Sequence, residues 1–458
     1  MAGWLHHHQV GPGERVAVMA HNCVEWCVAC LATLHGGSVF VPINVRLTER
    51  EVGYAIQDSG CAVLLADDTL SPIAHNARPE PPILADLTGP MGDDTAAGAD
   101  IANRASSDAA VIAYSSGTTG DPKGVVLTHG NIDAATSMWQ RSEGLGPDSA
   151  MLCCTPLAFT GGLINNFLTV VAAGGTLLVE RSFDAARALH VMTCYPATAM
   201  IGVPIMWEQV AASPEFATVD LSKLSTAITG GAPVPAALMQ RYLDKGVRIR
   251  QAYGLTEAAG ACTVPPREGP LSPVGSAGRP FPNTDVRIRQ GTTELPTGEV
   301  GEICVRGPQV MREYWHRPDD TATSVRDGWL HTGDLGRIDA AGDLEIVDRK
   351  KDMIICGGLN VYPAEIEKVV SAMTGVREVG AFGVPDVRWG EAVAIAVVGD
   401  VSIDDLVGHC RRSLADYKNP RYVTVSLDPL PRSMSGKVLR RTLRERFDPE
   451  RAVPTGKR

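Results

Sequence analysis

Short apolar runs alternate with amphipathic stretches from the start of the chain. Arg15–Met19 (RVAVM) is predicted as a strand, Cys23–Leu34 as a helix, Ser38–Pro42 as the next strand and Ala62–Ala66 (AVLLA) as another. Runs of four or five apolar residues bounded by turn formers suit strands covered on both faces. With helical periodicity between them, the pattern is βαβ and predicts a mostly parallel sheet with helices on its faces. Residues 67–107, rich in Pro, Gly, Asp and Ala and without periodicity, read as a surface excursion. Alternation resumes at Val111 and runs to about residue 347.

A charged run, Asp348–Asp352 (DRKKD), then separates the strand-like DLEIV from the apolar MIIC. The remainder follows a different plan. Glu378–Gly383 and Ala392–Val398 are predicted strands, and Ser402–Tyr417 a helix with Leu406, Cys410 and Leu414 at four-residue spacing. Arg421–Leu427 is a further strand, and Leu439, Leu443 and Phe447 mark a last helix. The chain therefore divides into a large α/β region, residues 1–350, and a small α+β domain, residues 351–458. No internal repeat is present.

Composition narrows the function. With 458 residues, 44% of them hydrophobic, the chain can bury a sizeable core. Forty-two Lys and Arg against 52 Asp and Glu leave a net charge of −10, which argues against nucleic acid, since phosphates call for a basic face. No apolar run approaches the roughly 18 residues of a membrane helix. The start, MAGWLHHHQV, lacks the parts of a signal peptide, so a cytoplasmic location is expected. Eleven cysteines, an odd number, argue against a disulfide framework. Cys23, Cys27 and Cys30 share one helix face without a fourth ligand and read as packed thiols rather than a zinc site. His6, His7 and His8 read as a helix end.

The strongest chemical signal is Tyr114–Gly124, YSSGTTGDPKG. An apolar strand feeds a loop of Ser, Thr and Gly closed by Lys123. Small residues let backbone N–H groups approach an anion, hydroxyls add donors, and the lysine neutralises charge. This is phosphate-loop chemistry without the Walker spacing.

The loop resembles the phosphate-binding signature of the adenylate-forming superfamily: acyl- and aryl-CoA synthetases, firefly-luciferase-like enzymes and peptide-synthetase adenylation domains. Further motifs follow in that family's order. They are Gln251–Glu257 (QAYGLTE), Trp329–Asp334 (WLHTGD), Asp348–Glu367 (DRKKDMIICGGLNVYPAEIE) and Pro431–Lys437 (PRSMSGK). The resemblance spans essentially the whole chain. It implies a large multi-sheet amino-terminal domain with parallel βαβ layers and a small, mobile α+β carboxy-terminal domain.

The resemblance also implies roles. ATP would be bound by Ser115, Ser116, Gly117, Thr118, Thr119, Gly120 and Lys123 around its phosphates. Gly230, Gly231, Ala232, Pro233, Gln251, Ala252, Tyr253 and Gly254 would lie around adenine, with Thr256 again at the phosphates and Asp334 and Arg349 at the ribose. Glu257 and Thr118 would hold Mg²⁺, a hard cation that takes oxygen ligands. Catalysis would fall to Lys437, Thr256, Glu257 and Lys123, with Lys437 meeting the substrate carboxylate and α-phosphate during adenylation only. Lys351 would be the hinge about which the small domain turns for the second step. Gly357 and Gly358 would present backbone to a coenzyme A channel, and Trp389, Tyr417 and Lys418 would contact the nucleotide end of coenzyme A. Phe159, Thr160, Gly161, Gly162, Gly230, Ala258 and Ala259 would line the acyl pocket.

Three departures from the family pattern stand out. The start corresponds to a point partway through a helix that relatives reach later in their chains. Phe159 stands where many carry histidine, and Asn419 replaces a basic residue of some aryl-CoA ligases. Pro156–Leu163 holds no acidic residue to pair with an amino group, so an uncharged acid is expected. The favoured expectation is an ATP- and Mg²⁺-dependent ligase joining a medium- or long-chain fatty acid to coenzyme A. The alternatives are an aryl-CoA (feruloyl- or benzoyl-type) ligase, an acyl-AMP ligase loading a carrier protein, and a truncated nucleotide-binding protein without turnover. A homodimer is left open.

Overall fold

The runs expected as strands pair as expected in a computed structural model. It describes residues 1–77, 83–87, 104–115, 122–232, 234–269, 273, 275–356, 359–387, 389–432 and 436–455. Arg15–Met19 lies between Val39–Pro42 and Val63–Ala66, parallel to both. Helix Val24–His35 follows the first of these strands, with Cys27 and Cys30 buried. Cys23 is its cap, its sulfur accepting from the Trp26 N–H. Helix Glu49–Ser59 opens on a reciprocal capping box between Thr48 and Glu51 and closes on Gly60 in the left-handed conformation. The three histidines do lie at a helix end, since the first helix is Ala2–His7.

The described residues between 67 and 107 hold more regular structure than expected. Helix Ser71–Asn76 and strand Ile83–Asp86 lie within them, and that strand pairs in parallel with Val63–Ala66 at the sheet edge. A four-residue edge strand set among prolines carries too little periodicity to be read from sequence. Among the described residues this sheet has seven strands and ends in antiparallel Ala109–Ser115, Lys123–Thr128 and Glu313–Tyr314.

A second sheet of five strands is parallel throughout, in the order Ile249–Ala252, Thr226–Gly230, Ala199–Gly202, Ala150–Cys153, Thr176–Val179. Its helices pack around Trp207 and Tyr242, both fully buried and edge-on to each other at 5.3 Å. Their polar ends are satisfied: the indole N–H donates to the Ile228 carbonyl and the phenol to the Trp207 carbonyl. This anchors the strand that ends at Gly230.

The alternation expected to reach residue 347 stops near residue 263. Asp285–Gln290, Gly301–Arg306, Trp329–Ile338 and Leu344–Arg349 instead belong to one sheet of short strands with hairpin pairings. Pro318–Ser324 is the one α-helix among the described residues of this stretch.

Two units result. One comprises Met1–Arg287, Cys304–Thr332 and Ala341–Leu344, the other Ile288–Ile303, Gly333–Ala340 and Glu345–Arg458. In the second, Gly390–Gly399 pairs antiparallel with Val376–Asp386 and parallel with Tyr422–Ser426. The helix expected over Ser402–Tyr417 is Ile403–Ser413, capped by Ser402. Leu414 leaves it in extended conformation yet stays packed with Leu406 and Cys410. The last helix is only Arg440–Glu445, with Leu443 buried. Among the described residues no helix is long and apolar enough to cross a membrane.

Candidate active site

In the first unit the candidate residues gather around Glu257. The strand Ile249–Ala252 delivers Tyr253–Glu257 into a short 3₁₀ turn, Thr256–Ala258. The turn closes with Ala259 and Gly260 both at positive φ, and the Gly260 N–H donates to the Leu255 carbonyl. Glu257 is thereby held half-buried, and its Oε1 accepts from Ser115 Oγ and Tyr314 Oη, each at 3.0 Å. Burial first, and then the Glu257 carboxylate, push the Tyr314 phenol well above its ordinary range, so it stays a donor. Oε2 accepts from no other group among the described residues. A carboxylate oxygen so oriented fits a Mg²⁺ ion, whose preferred ligands are hard oxygens. Thr118, the other expected metal ligand, lies outside the described residues.

Lys123, at the head of strand Lys123–Thr128, sits over the Tyr314 ring at 5.1 Å and donates to Asp320 at 2.5 Å. Neither Tyr314 nor Asp320 was singled out from the sequence. Tyr314 reaches Glu257 because Glu313–Tyr314 pairs with Val125 and Val126, and its N–H donates to Thr321 in the helix that carries Asp320. Ser116, Gly117, Thr118, Thr119 and Gly120 lie outside the described residues, as does Pro233.

Gln251 is tied into this unit by its side chain, whose Oε1 accepts the Val234 N–H at 3.1 Å. It thus fastens the turn after Gly230, Gly231 and Ala232 to the strand leading to Tyr253. Phe159 and Thr160 precede Gly161–Leu168, a π-helical segment, buried from Gly162 on. Gly162 is required there, because a β-carbon would stand 2.3 Å from the Pro156 carbonyl oxygen. Ala258 and Ala259 are buried, and the adjacent Gly260 lies against Asn165 of the π-helical segment.

The second unit brings together Asp334, Arg349, Lys351 and Lys437. Arg349 Nε stands 3.5 Å from Asp334 Oδ1. Lys437 keeps an exposed surface while protein crowds its ammonium. That desolvation, then the Arg349 guanidinium and Lys351, hold it below the usual lysine range against the pull of Asp334. Lys351 is likewise lowered, by burial and then Arg349. Lys350 pairs with Glu302 at 3.1 Å.

Three residues past Lys437, Arg440 joins this group to the charged run, a role the sequence reading missed. Its guanidinium contacts Glu367 at 2.7 Å, Asp352 at 3.1 Å and Asp348 at 3.7 Å. Burial works against its charge, but the Glu367 and Asp348 carboxylates outweigh that and raise its pKa. Asp348 is only 2% exposed and is pushed up by burial in spite of Arg440. It also accepts the Ala364 N–H at 2.7 Å, at the start of helix Pro363–Ser371.

Of the residues expected at coenzyme A, Gly357 and Gly358 lie outside the described residues. Trp389 and Tyr417 are partly buried against one apolar cluster of the second unit, and Arg421 lies over the Trp389 ring at 5.5 Å. Lys418 donates to both Glu365 oxygens at 2.7 Å; burial lowers its pKa but this carboxylate raises it further.

Residues 1–315 match the model of the AMP-binding enzyme family, and residues 365–437 that of the AMP-binding enzyme C-terminal domain. The chain belongs to the AMP-binding enzyme family. Among relatives of these AMP-binding enzymes, a feruloyl-CoA synthase from Amycolatopsis sp is 39% identical over 457 residues, spanning 98% of this chain and 91% of that protein. A long-chain fatty-acid–CoA ligase of Mycobacterium tuberculosis is 36% identical over 449 residues, 96% and 89% of the two chains. ATP-bound MatB from Rhodopseudomonas palustris superposes with a TM-score of 0.87 at 33% identity, over 97% and 91% of the two chains. The o-succinylbenzoate CoA synthetase of Bacillus subtilis with its acyl-adenylate intermediate also gives 0.87, at 30% identity and over 96% and 90%. The adenylate-forming resemblance and the α/β class expected from the motifs are borne out.

Proposed function

We propose that this AMP-binding enzyme is an AMP-forming acid–CoA ligase, its adenylating site built on Glu257, Ser115, Tyr314 and Lys123 and its small domain supplying Lys437. In the first step an oxygen of the acid attacks the α-phosphorus of ATP, and the bond to the β-phosphate oxygen breaks to release pyrophosphate. The reaction joins anions, so the protein's task is to position them and offset their charge. Lys123 and the Ser-Thr-Gly loop hold the β- and γ-phosphates, and Thr256 adds a hydroxyl. Glu257 and Thr118 would hold Mg²⁺, which would offset charge on the phosphates. Asp334 accepts from the ribose hydroxyls with Arg349 beside it, and Lys437 meets the carboxylate and α-phosphate.

In the second step the thiol of coenzyme A attacks the acyl carbonyl. The bond to AMP breaks, AMP leaves, and the thiol proton passes to solvent. Turning the small domain, residues 351–458, about Lys351 withdraws Lys437 and brings Gly357 and Gly358 to the thiol arm, with Trp389, Tyr417 and Lys418 at the nucleotide end. The enzyme works in the cytoplasm, in keeping with an odd number of cysteines, which argues against a disulfide framework. Its acid is uncharged in the tail, a fatty acid on the reading of small residues at Gly161, Gly162, Ala258, Ala259 and Gly260, or an aryl acid.

The observation that carries the proposal is the Glu257 carboxylate, oriented by two neutral donors on separate strands with Oε2 left for a cation. Pyrophosphate release with ATP and Mg²⁺ against fatty and aryl acids, with and without coenzyme A, tests it. Release that needs an acid and quickens with coenzyme A is the expected result. Release indifferent to coenzyme A would favour loading of a carrier protein, and no release with any acid would overturn the ligase reading.

A further inference from the structure

Lys123 is expected to hold the β- and γ-phosphates, yet the structure commits it to a carboxylate. Its ammonium donates to Asp320 Oδ1 at 2.5 Å and lies over the Tyr314 ring at 5.1 Å. The pair is open to solvent, the Lys123 side chain being 15% exposed and that of Asp320 35%. An ammonium turned to this oxygen is not free for a phosphate, and a carboxylate left facing the phosphate would repel it. Phosphate binding at Lys123 therefore requires somewhere else for Asp320 to turn.

The fold supplies that place. Asp320 Oδ2 faces Arg317 Nη1 at 3.8 Å. Coming about 1 Å closer would make a charge-assisted hydrogen bond. Arg317 is steered by Tyr54, whose phenol oxygen accepts from Nη2 at 3.1 Å. Thr321 Oγ1 donates to the Arg317 carbonyl and accepts the Tyr314 N–H, both at 2.9 Å, which fastens helix Pro318–Ser324 to strand Glu313–Tyr314. Asp320 thus stands between two cations on a braced support, in contact with one and just short of the other.

We infer that Asp320 is a positioning residue that competes with phosphate for Lys123, turning to Arg317 when ATP takes the lysine and returning as pyrophosphate leaves. This rests on the ligase reading and deepens it, by naming what limits the hold of the site on its first product. The exchange weakens ATP and pyrophosphate alike, so a lysine able to gather a triphosphate does not retain the pyrophosphate cut from it.

The test is the inhibition constant of pyrophosphate, with ATP varied, in AMP formation from acid, ATP and coenzyme A. Asp320→Asn keeps the shape and loses the charge, and should lower that constant about three- to fivefold, the scale of a partly exposed ion pair. Asp320→Glu should restore most of it. Arg317→Gln should raise the constant severalfold by itself, yet change it little alongside Asp320→Asn, since no carboxylate is then left to receive. Thermal unfolding checks that each variant is folded, and a merely structural Asp320 would shift unfolding and leave the constant alone. An unchanged constant in Asp320→Asn would overturn the inference. So would an Arg317→Gln effect of equal size in both backgrounds, which would put Arg317 on the phosphates directly. Should no acid yield AMP, the ligase reading falls. Calorimetric titration with magnesium pyrophosphate then still decides this one: tighter binding by Asp320→Asn supports it, and equal or absent binding overturns it.

Discussion

Glu257 in the first unit and Lys437 in the second are both charged groups expected to serve the nucleotide, one through a cation and one directly, yet their surroundings differ in kind. Glu257 is steadied by neutral hydroxyls, from Ser115 and Tyr314, that fix its direction without cancelling its charge. At Lys437 burial of the ammonium comes first, and Arg349 and Lys351 then oppose its charge while Asp334 favours it. Three residues on, Arg440 forks across Asp348, Asp352 and Glu367. A group that stays put can be built into its binding geometry.

The sharpest way to break this contrast is Lys437→Ala. Pyrophosphate release should fall by about 10²–10³-fold, the scale of losing one electrostatic stabiliser. Thioester formation from supplied acyl-adenylate should survive. Equal loss of both steps would mean that Lys437 is not confined to the first.

Arg440→Met comes next, because it strands three carboxylates, one of them almost fully buried. A loss of about 3 kcal/mol in stability is expected, read by urea denaturation, with faster hydrogen exchange in residues 348–352 and 436–445. Arg440→Lys should recover only part, since an ammonium cannot fork across several carboxylates. A Met variant as stable as the parent would show that the network anchors nothing.

In the first unit the expected effects are smaller. Tyr314→Phe removes one of the two donors that orient Glu257 and should raise the Mg²⁺ concentration needed for half-maximal pyrophosphate release about tenfold. An unchanged requirement would make that hydrogen bond purely structural. Asp320→Asn is the mildest. It frees Lys123 from a partly exposed ion pair worth about 1 kcal/mol at most, so KM for ATP should fall severalfold with kcat unaltered. A rise in KM would instead make Asp320 part of the nucleotide site.

The sequence by itself determined whatever is local. Strands such as Arg15–Met19 and Ala62–Ala66 were legible because four or five apolar residues in a row leave few other options, and Ser115, Lys123, Glu257, Asp334 and Lys437 because each sits in a contiguous motif. Tertiary structure decided what depends on distant partners. Tyr314 joins Glu257 across 57 positions and Asp320 joins Lys123 across 197. Arg440 reaches back 73 positions to Glu367, and Asn165 95 positions to Gly260. None of these leaves a periodic trace, because a hydrogen bond or ion pair needs only two side chains brought within reach by the packing of whole elements. The helix ending at Ser413 and the edge strand Ile83–Asp86 belong with them, since what Leu414 and Ile83 pack or pair against lies elsewhere in the fold.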